Sequence, residues 1–165
     1  MSEHEISEYY EQHGQLVSRY LLRLCGDAAL AEELTQETFY QAIRTVGRLR
    51  GECKPSVWLC QIARHCWYKH LDKARRSGIT VEPDENIPLD EPLPDDKAVA
   101  ADEKLRVYEA MRKLRGEARE VMYLRILGEL SFAEIAHVMD KTETWARVTY
   151  FRAKKRLQEE LSNEA

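Results

Sequence analysis

The chain has least freedom in its last third, where a stretch from Gly128 to Met139 is followed by a short break and a long basic segment from Glu143 to about Leu161. Gly128 can stop a preceding helix. Ser131, with Glu134 three residues on, has the form of a capping box, whose reciprocal bonds between side chain and backbone start the next helix. Ile135, Ala136 and Met139 give that helix an apolar stripe, and Asp140-Lys141-Thr142 interrupts it and supplies a new cap at Thr142. Beyond the break, Ala146, Tyr150, Ala153 and Leu157 recur at steps of four, three and four, which keeps one narrow stripe of a helix turned inward. At about 100° per residue, the opposite side carries Thr144, Arg147, Val148, Phe151, Arg152 and Lys155. Two capped helices joined by a tight turn, the second basic on its outer side, predict a helix-turn-helix, a shape that fits the DNA major groove. In that setting cations hold phosphates, and Arg147 or Arg152 can reach a guanine edge. A lone basic helix is more often a solvated face; the capped partner helix and the turn shift the reading. Trp145 and Phe151 add bulky rings beside this side, either to meet thymine methyls or to prop the helix against its partner.

The rest of the chain suits that module. With 165 residues, 44% hydrophobic, and only seven Gly and five Pro, it predicts one or two small helical domains and offers almost no convincing strand pattern. No run of about 18 apolar residues exists, and Met1-Ser2-Glu3-His4-Glu5 is too acidic and polar for a signal peptide, so a cytoplasmic chain without direct membrane insertion is expected. The net charge of -4 is awkward for a DNA binder, because phosphate neutralisation usually supplies most of the non-specific affinity. Its distribution resolves part of the difficulty: residues 51–80 carry +4 and residues 105–165 carry +2, while residues 81–104 alone carry -7. Free DNA affinity should therefore be modest, and specific binding should need a partner.

The segment from Val81 to Asp96 holds four prolines and many acids with no amphipathic period, and reads as an extended linker. The fold class expected is all-α, with two small helical domains over 1–78 and 103–165 joined by a flexible acidic linker over 79–102. The C-terminal domain is expected to be a four-helix module that ends in the helix-turn-helix. In the first domain, apolar residues recur at helical spacing from Ile6 to Leu24 and stop at Gly26. Asp27 caps a second helix to about Leu49, with Leu30, Ala31, Leu34, Phe39, Ala42, Ile43 and Val46 in its apolar sector. A break over 50–56 precedes a third helix whose expected inner side is Trp58, Leu59, Ile62, Ala63, Cys66 and Leu71, and which ends in Lys73-Ala74-Arg75-Arg76, where cations suit the helix dipole.

At this point the residues carry a family. Asp27-Ala28-Ala29-Leu30-Ala31-Glu32-Glu33-Leu34-Thr35-Gln36-Glu37-Thr38-Phe39 resembles the D-A-E-D-L-x-Q-E-T-F helix of bacterial extracytoplasmic-function sigma factors, in the sigma-70 superfamily. Arg50-Gly51-Glu52, Trp58-Leu59 and Ile62-Ala63 resemble the following R-G-D/E, W-L-x-x-I-A segment. Ser131-Phe132-Ala133-Glu134-Ile135-Ala136 and Arg152-Ala153-Lys154-Lys155-Arg156-Leu157 are similar to the helix-turn-helix of the same family. Each match is weak alone; their order and separation cover nearly the whole chain.

The resemblance implies a factor that binds core RNA polymerase and directs promoter-specific initiation. Asp27, Glu33, Gln36, Glu37 and Tyr40 would face polymerase. Arg50, Lys54, Gln61, His65, Tyr68 and Lys69 would meet the single-stranded -10 element, where unstacked bases need stacking partners and cations. Thr144, Arg147, Val148, Phe151, Arg152 and Lys155 would hold the -35 element. His65 departs from the pattern, which often has Asn there, and Leu114-Arg115-Gly116 replaces a common Leu-Pro. The resemblance further implies an anti-sigma factor as partner, and gives the acidic linker two readings, an electrostatic stand-in for RNA in a polymerase channel or a passive tether.

Cys25, Cys53, Cys60 and Cys66 form no C-x-x-C pair, and reduced thiols are the expectation, with a zinc or redox site of Cys53, Cys60, Cys66 and His70 as a minor alternative. Neither a Gly-rich phosphate loop nor a nucleophile elbow occurs, so no enzyme, cofactor or metal site is predicted. The alternative function is a stand-alone helix-turn-helix regulator that binds DNA without polymerase; an all-helical protein adaptor is the second.

Overall fold

The computed structural model describes residues 3–45, 54–78 and 109–163, the last span apart from Arg112 and Arg115. Among these residues every regular element is a helix. The chain divides into two compact units.

In the first unit α1 (Glu3–Cys25), α2 (Ala28–Thr45) and α3 (Pro55–Arg76) pack against one another pairwise. The junction of α1 and α2 is written in two residues. Gly26 adopts φ 73°, the left-handed conformation that glycine reaches without penalty, and its N–H closes α1 on the Leu22 carbonyl at 2.8 Å. The Asp27 carboxylate then accepts the N–H groups of Ala29 and Leu30 at 3.0 and 3.2 Å, capping α2. Pro55 opens α3 at a position whose N–H has no helical partner to lose. The expected continuation of α2 to Leu49, the Arg50 loop and the acidic linker over 79–102 lie outside the described residues.

The core of this unit includes Val17, Tyr20, Leu21, Leu34, Phe39, Val57, Leu59, Cys60, Ala63 and Trp67. Two details differ from the sequence expectation. On α3 the buried side is Val57, Leu59, Cys60, Ala63, Trp67, Leu71 and Ala74, so Trp58, Ile62 and Cys66 lie on its half-buried flank. On α2, Ile43 is exposed, while Thr35 and Thr38 are buried and donate their hydroxyls to the Ala31 and Leu34 carbonyls, each at 2.7 Å. That back-bonding makes a threonine acceptable inside a helix core.

In the second unit helical residues at 109–111 and 113 precede α4 (Gly116–Ile126), α5 (Phe132–Met139) and α6 (Glu143–Asn163). Five consecutive residues of α4, Glu120 to Leu124, are buried, which makes it the central helix of a small module. Met122 of α4 meets Ala153 and Leu157 of α6 and Ala110, Met111 and Leu114, with Tyr150 and Leu161 at the edge. Gly128 follows the end of α4 and closes its last turn with an N–H on the Tyr123 carbonyl at 3.1 Å, while the left-handed residue of the turn is Glu129, φ 55°. At Gly128 a Cβ would sit 2.8 Å from the Leu124 carbonyl oxygen, so glycine is needed for close approach of the chain to α4.

Candidate nucleic-acid interface

The two predicted caps aim α5 and α6. Ser131 Oγ accepts the Glu134 N–H at 3.1 Å while Glu134 Oε1 accepts the Ser131 N–H at 2.8 Å, which completes the capping box. Asp140, at φ 56°, ends α5, with the Lys141 N–H on the Ala136 carbonyl at 2.9 Å. Thr142 Oγ1 accepts the Trp145 N–H at 3.0 Å and starts α6. Burial of Ala146, Ala153 and Leu157 fixes the rotation of α6, and Thr144, Arg147, Val148, Phe151, Arg152 and Lys155 are all exposed in consequence. Cations and apolar groups thus share one open side, as phosphate contact together with base-edge contact requires.

Behind this side lies an aromatic cluster that sequence reasoning missed. The Phe132 ring, from the first residue of α5, lies 5.4 Å from Tyr150 and 6.0 Å from Phe151 between centroids. Phe151 also meets Tyr150 edge-on at 5.3 Å yet stays 53% exposed, so it both props α6 and presents a ring to solvent. Trp145 is half-buried with the Lys141 ammonium 5.5 Å from its ring. The clue was the apolar residue directly after the capping Ser131, whose partners 18 and 19 residues on, in the next helix, no periodicity reveals.

On α2 and its cap, the five candidate polymerase residues Asp27, Glu33, Gln36, Glu37 and Tyr40 are all exposed. The Asp27 carboxylate is already engaged as the helix cap, and Glu37 accepts a bond from Gln41 at 2.8 Å. Tyr40 lies bare with Arg44 5.6 Å from its ring, and Ile43 extends the strip by an exposed apolar side chain. An exposed ring and an aliphatic group in line with carboxylates are what a protein partner covers.

The -10 candidates divide. His65 and Lys69 line one groove of about 550 Å³ between α2 and α3, together with Glu37, Cys66 and His70. Tyr68 is exposed beside it, with the Arg64 guanidinium 4.5 Å from its ring, and Gln61 is half-buried and Lys54 exposed outside the groove lining. Arg50 falls outside the described residues. Trp67 is in the core with His70, ring centroids 6.0 Å apart, and Trp58 is half-buried, so Tyr68 is the exposed aromatic ring of α3.

The thiols are subdued. Burial pushes Cys60 up to about 12. Burial likewise raises Cys25 and Cys66, the latter partly offset by its contact with the Thr38 side chain. Cys53 is outside the described residues; among those described, no three His, Cys, Asp or Glu side chains group as metal ligands.

Comparison with known proteins sets these features in order. The family model for Sigma-70 region 2 matches residues 9–77, and that for Sigma-70 region 4 matches residues 104–157. The chain is 32% identical over 159 residues to the ECF RNA polymerase sigma factor BldN of Streptomyces coelicolor, covering 94% of this chain and 60% of that relative. It is 31% identical to the ECF RNA polymerase sigma factor SigM of Bacillus subtilis, with 92% of each chain covered. Among solved structures, the fold is similar to the sigma factor RpoE of Bartonella quintana, crystallised with the anti-sigma factor NepR, at TM-score 0.74, 20% identity, and coverage of 96% and 97%. It is also similar to CnrH in complex with the cytosolic domain of CnrY, at TM-score 0.69, 17% identity, and coverage of 99% and 92%. Two matched regions in the family's own order, and identity that runs the length of SigM, make this chain a member of the sigma-70 superfamily, in its extracytoplasmic-function branch.

Proposed function

We propose that the chain joins core RNA polymerase and selects promoters, with residues 1–78 serving polymerase and the -10 element, 79–102 linking, and 103–165 holding the -35 element. The observation that carries this reading is the presence of both sigma regions, over residues 9–77 and 104–157, on one chain. Uniform exposure of Asp27, Glu33, Gln36, Glu37 and Tyr40 on α2 and its cap supports a polymerase-binding role for them. The open cationic side of α6 supports -35 contact by Thr144, Arg147, Val148, Phe151, Arg152 and Lys155. His65, Tyr68 and Lys69, with Gln61 also on α3, Lys54 at its cap and Arg50 ahead of it in sequence, are assigned to the -10 strand. The protein contributes binding and choice of start site, while bond formation belongs to the polymerase core. It works in the cytoplasm, where polymerase works, and family membership implies an anti-sigma factor, as the RpoE relative has in NepR.

The test is transcription from a pool of genomic fragments by purified core polymerase with and without this protein: new, discrete start sites are expected. Replacing Gln36 and Glu37 by Ala should abolish co-purification with core while the helical circular dichroism stays unchanged; retained co-purification would remove α2 from the interface. The stand-alone regulator reading instead requires tight, symmetric operator binding by the isolated protein.

A further inference from the structure

Arg147 is held before any DNA arrives. Its Nη2 donates to Glu143 Oε1 at 3.1 Å, one helical turn back, and its guanidinium lies 5.5 Å from the centre of the Phe132 ring. That ring is fixed in turn: Arg125 sits 4.3 Å from it and donates to the Leu130 carbonyl at 2.9 Å. Both partners of the Arg147–Glu143 pair are about half exposed, 52% and 54%, and such solvated pairs do little for stability. Holding one of the longest side chains in place on the open side of α6 makes sense instead as preparation for binding. An arginine that must find its rotamer on contact loses conformational freedom at that moment, and one already restrained loses less. Five N–H donors in a fixed fork leave Arg147 able to satisfy Glu143 and still present a bidentate edge.

Resting on the reading that α6 enters the -35 major groove, we infer that Glu143 and Phe132 are positioning residues that set the base preference of Arg147. Glu143 has a second consequence of opposite sign. A carboxylate on the DNA-facing side repels phosphates, so it lowers affinity for every sequence while sharpening the choice among them. A residue that only stabilised the start of α6 would not produce that combination.

The experiment uses the full chain with core polymerase on promoters in which each -35 position is varied through all four base pairs, at one fixed salt concentration. Arg147→Ala should flatten the preference at one position. Glu143→Ala should reduce preference at that same position by about twofold, the scale of one exposed pair a helical turn apart, while binding to unrelated sequences stays level or rises. Glu143→Gln, which keeps an acceptor, should fall between, and Phe132→Leu should weaken the same position. In an Arg147→Ala background, Glu143→Ala should cause no further loss of preference. Flattening at a different position would mean that the carboxylate itself reads a base, and an equal loss on all sequences would mean a helix-start role; either overturns the inference. An effect of Arg147→Ala with none from Glu143→Ala overturns the inference alone. No positional effect of Arg147→Ala overturns it together with the assignment of α6 to base reading.

Discussion

Gly128 and Cys60 show how much a single residue can fix. A methyl group at position 128 would meet the Leu124 carbonyl oxygen at 2.8 Å and Leu130 Cδ1 at 3.0 Å. The first is backbone of the central helix α4 and has nowhere to go. Gly128→Ala should therefore destabilise the C-terminal unit by about 1–3 kcal/mol, as overpacking does, read as a lower urea midpoint with an unchanged slope. Cys60 is fully buried, and its thiol is raised from 9.0 to about 12 by loss of solvent. The folded state thus keeps a proton that the unfolded chain releases above pH 9.0. The stabilisation linked to that proton is complete below pH 9.0 and declines as pH rises toward 12, at about 1.4 kcal/mol per pH unit. Cys60→Ala lacks this dependence, so the stability gap between wild type and variant should narrow across that range; a gap that stays constant would mean the thiol ionises alike in both states.

Caps act on whole elements. Thr142 caps the start of α6 by accepting the Trp145 N–H, and Thr142→Ala should cost about 1 kcal/mol, measured by chemical denaturation, whereas Thr142→Ser should be nearly silent. The Ser131 box, the Asp27 cap and the Gly26 terminus were legible in sequence because each is a relation between residues at most four apart. So was the rotation of α6, since alanines at 146 and 153 beside Leu157 leave one possible inner stripe. The rotation of α3 was not. Its apolar residues surround most of the helix, and packing against both α1 and α2 selects Val57, Cys60, Trp67 and Ala74 over Trp58, Ile62 and Cys66. Ile43 misled for a related reason, because an apolar residue at helical spacing looks like core until the fold leaves it exposed. The hold of Phe132 on Arg147 crosses from α5 to α6 and exists only in three dimensions.

At the scale of the molecule, charge sets how strongly the free chain can be drawn to DNA. The sequence from Val81 to Asp96 contains seven acids, and without them a chain of net charge -4 would stand at +3. Both helical units are then weakly cationic bodies tied to an anionic strap, and the strap subtracts from the phosphate attraction that non-specific binding depends on. Changing those seven residues to Asn and Gln should raise the affinity of the isolated protein for random duplex DNA several-fold at low salt and steepen its salt dependence. Screening should remove most of the difference at high salt, because the Debye length shrinks from about 10 Å at 0.1 M to about 3 Å at 1 M. Fluorescence anisotropy with a labelled duplex at two salt concentrations measures both. Equal affinity of the two proteins at low salt would show that the strap does not restrain DNA binding by the free chain, and the reason for its seven acids would then have to be sought in polymerase.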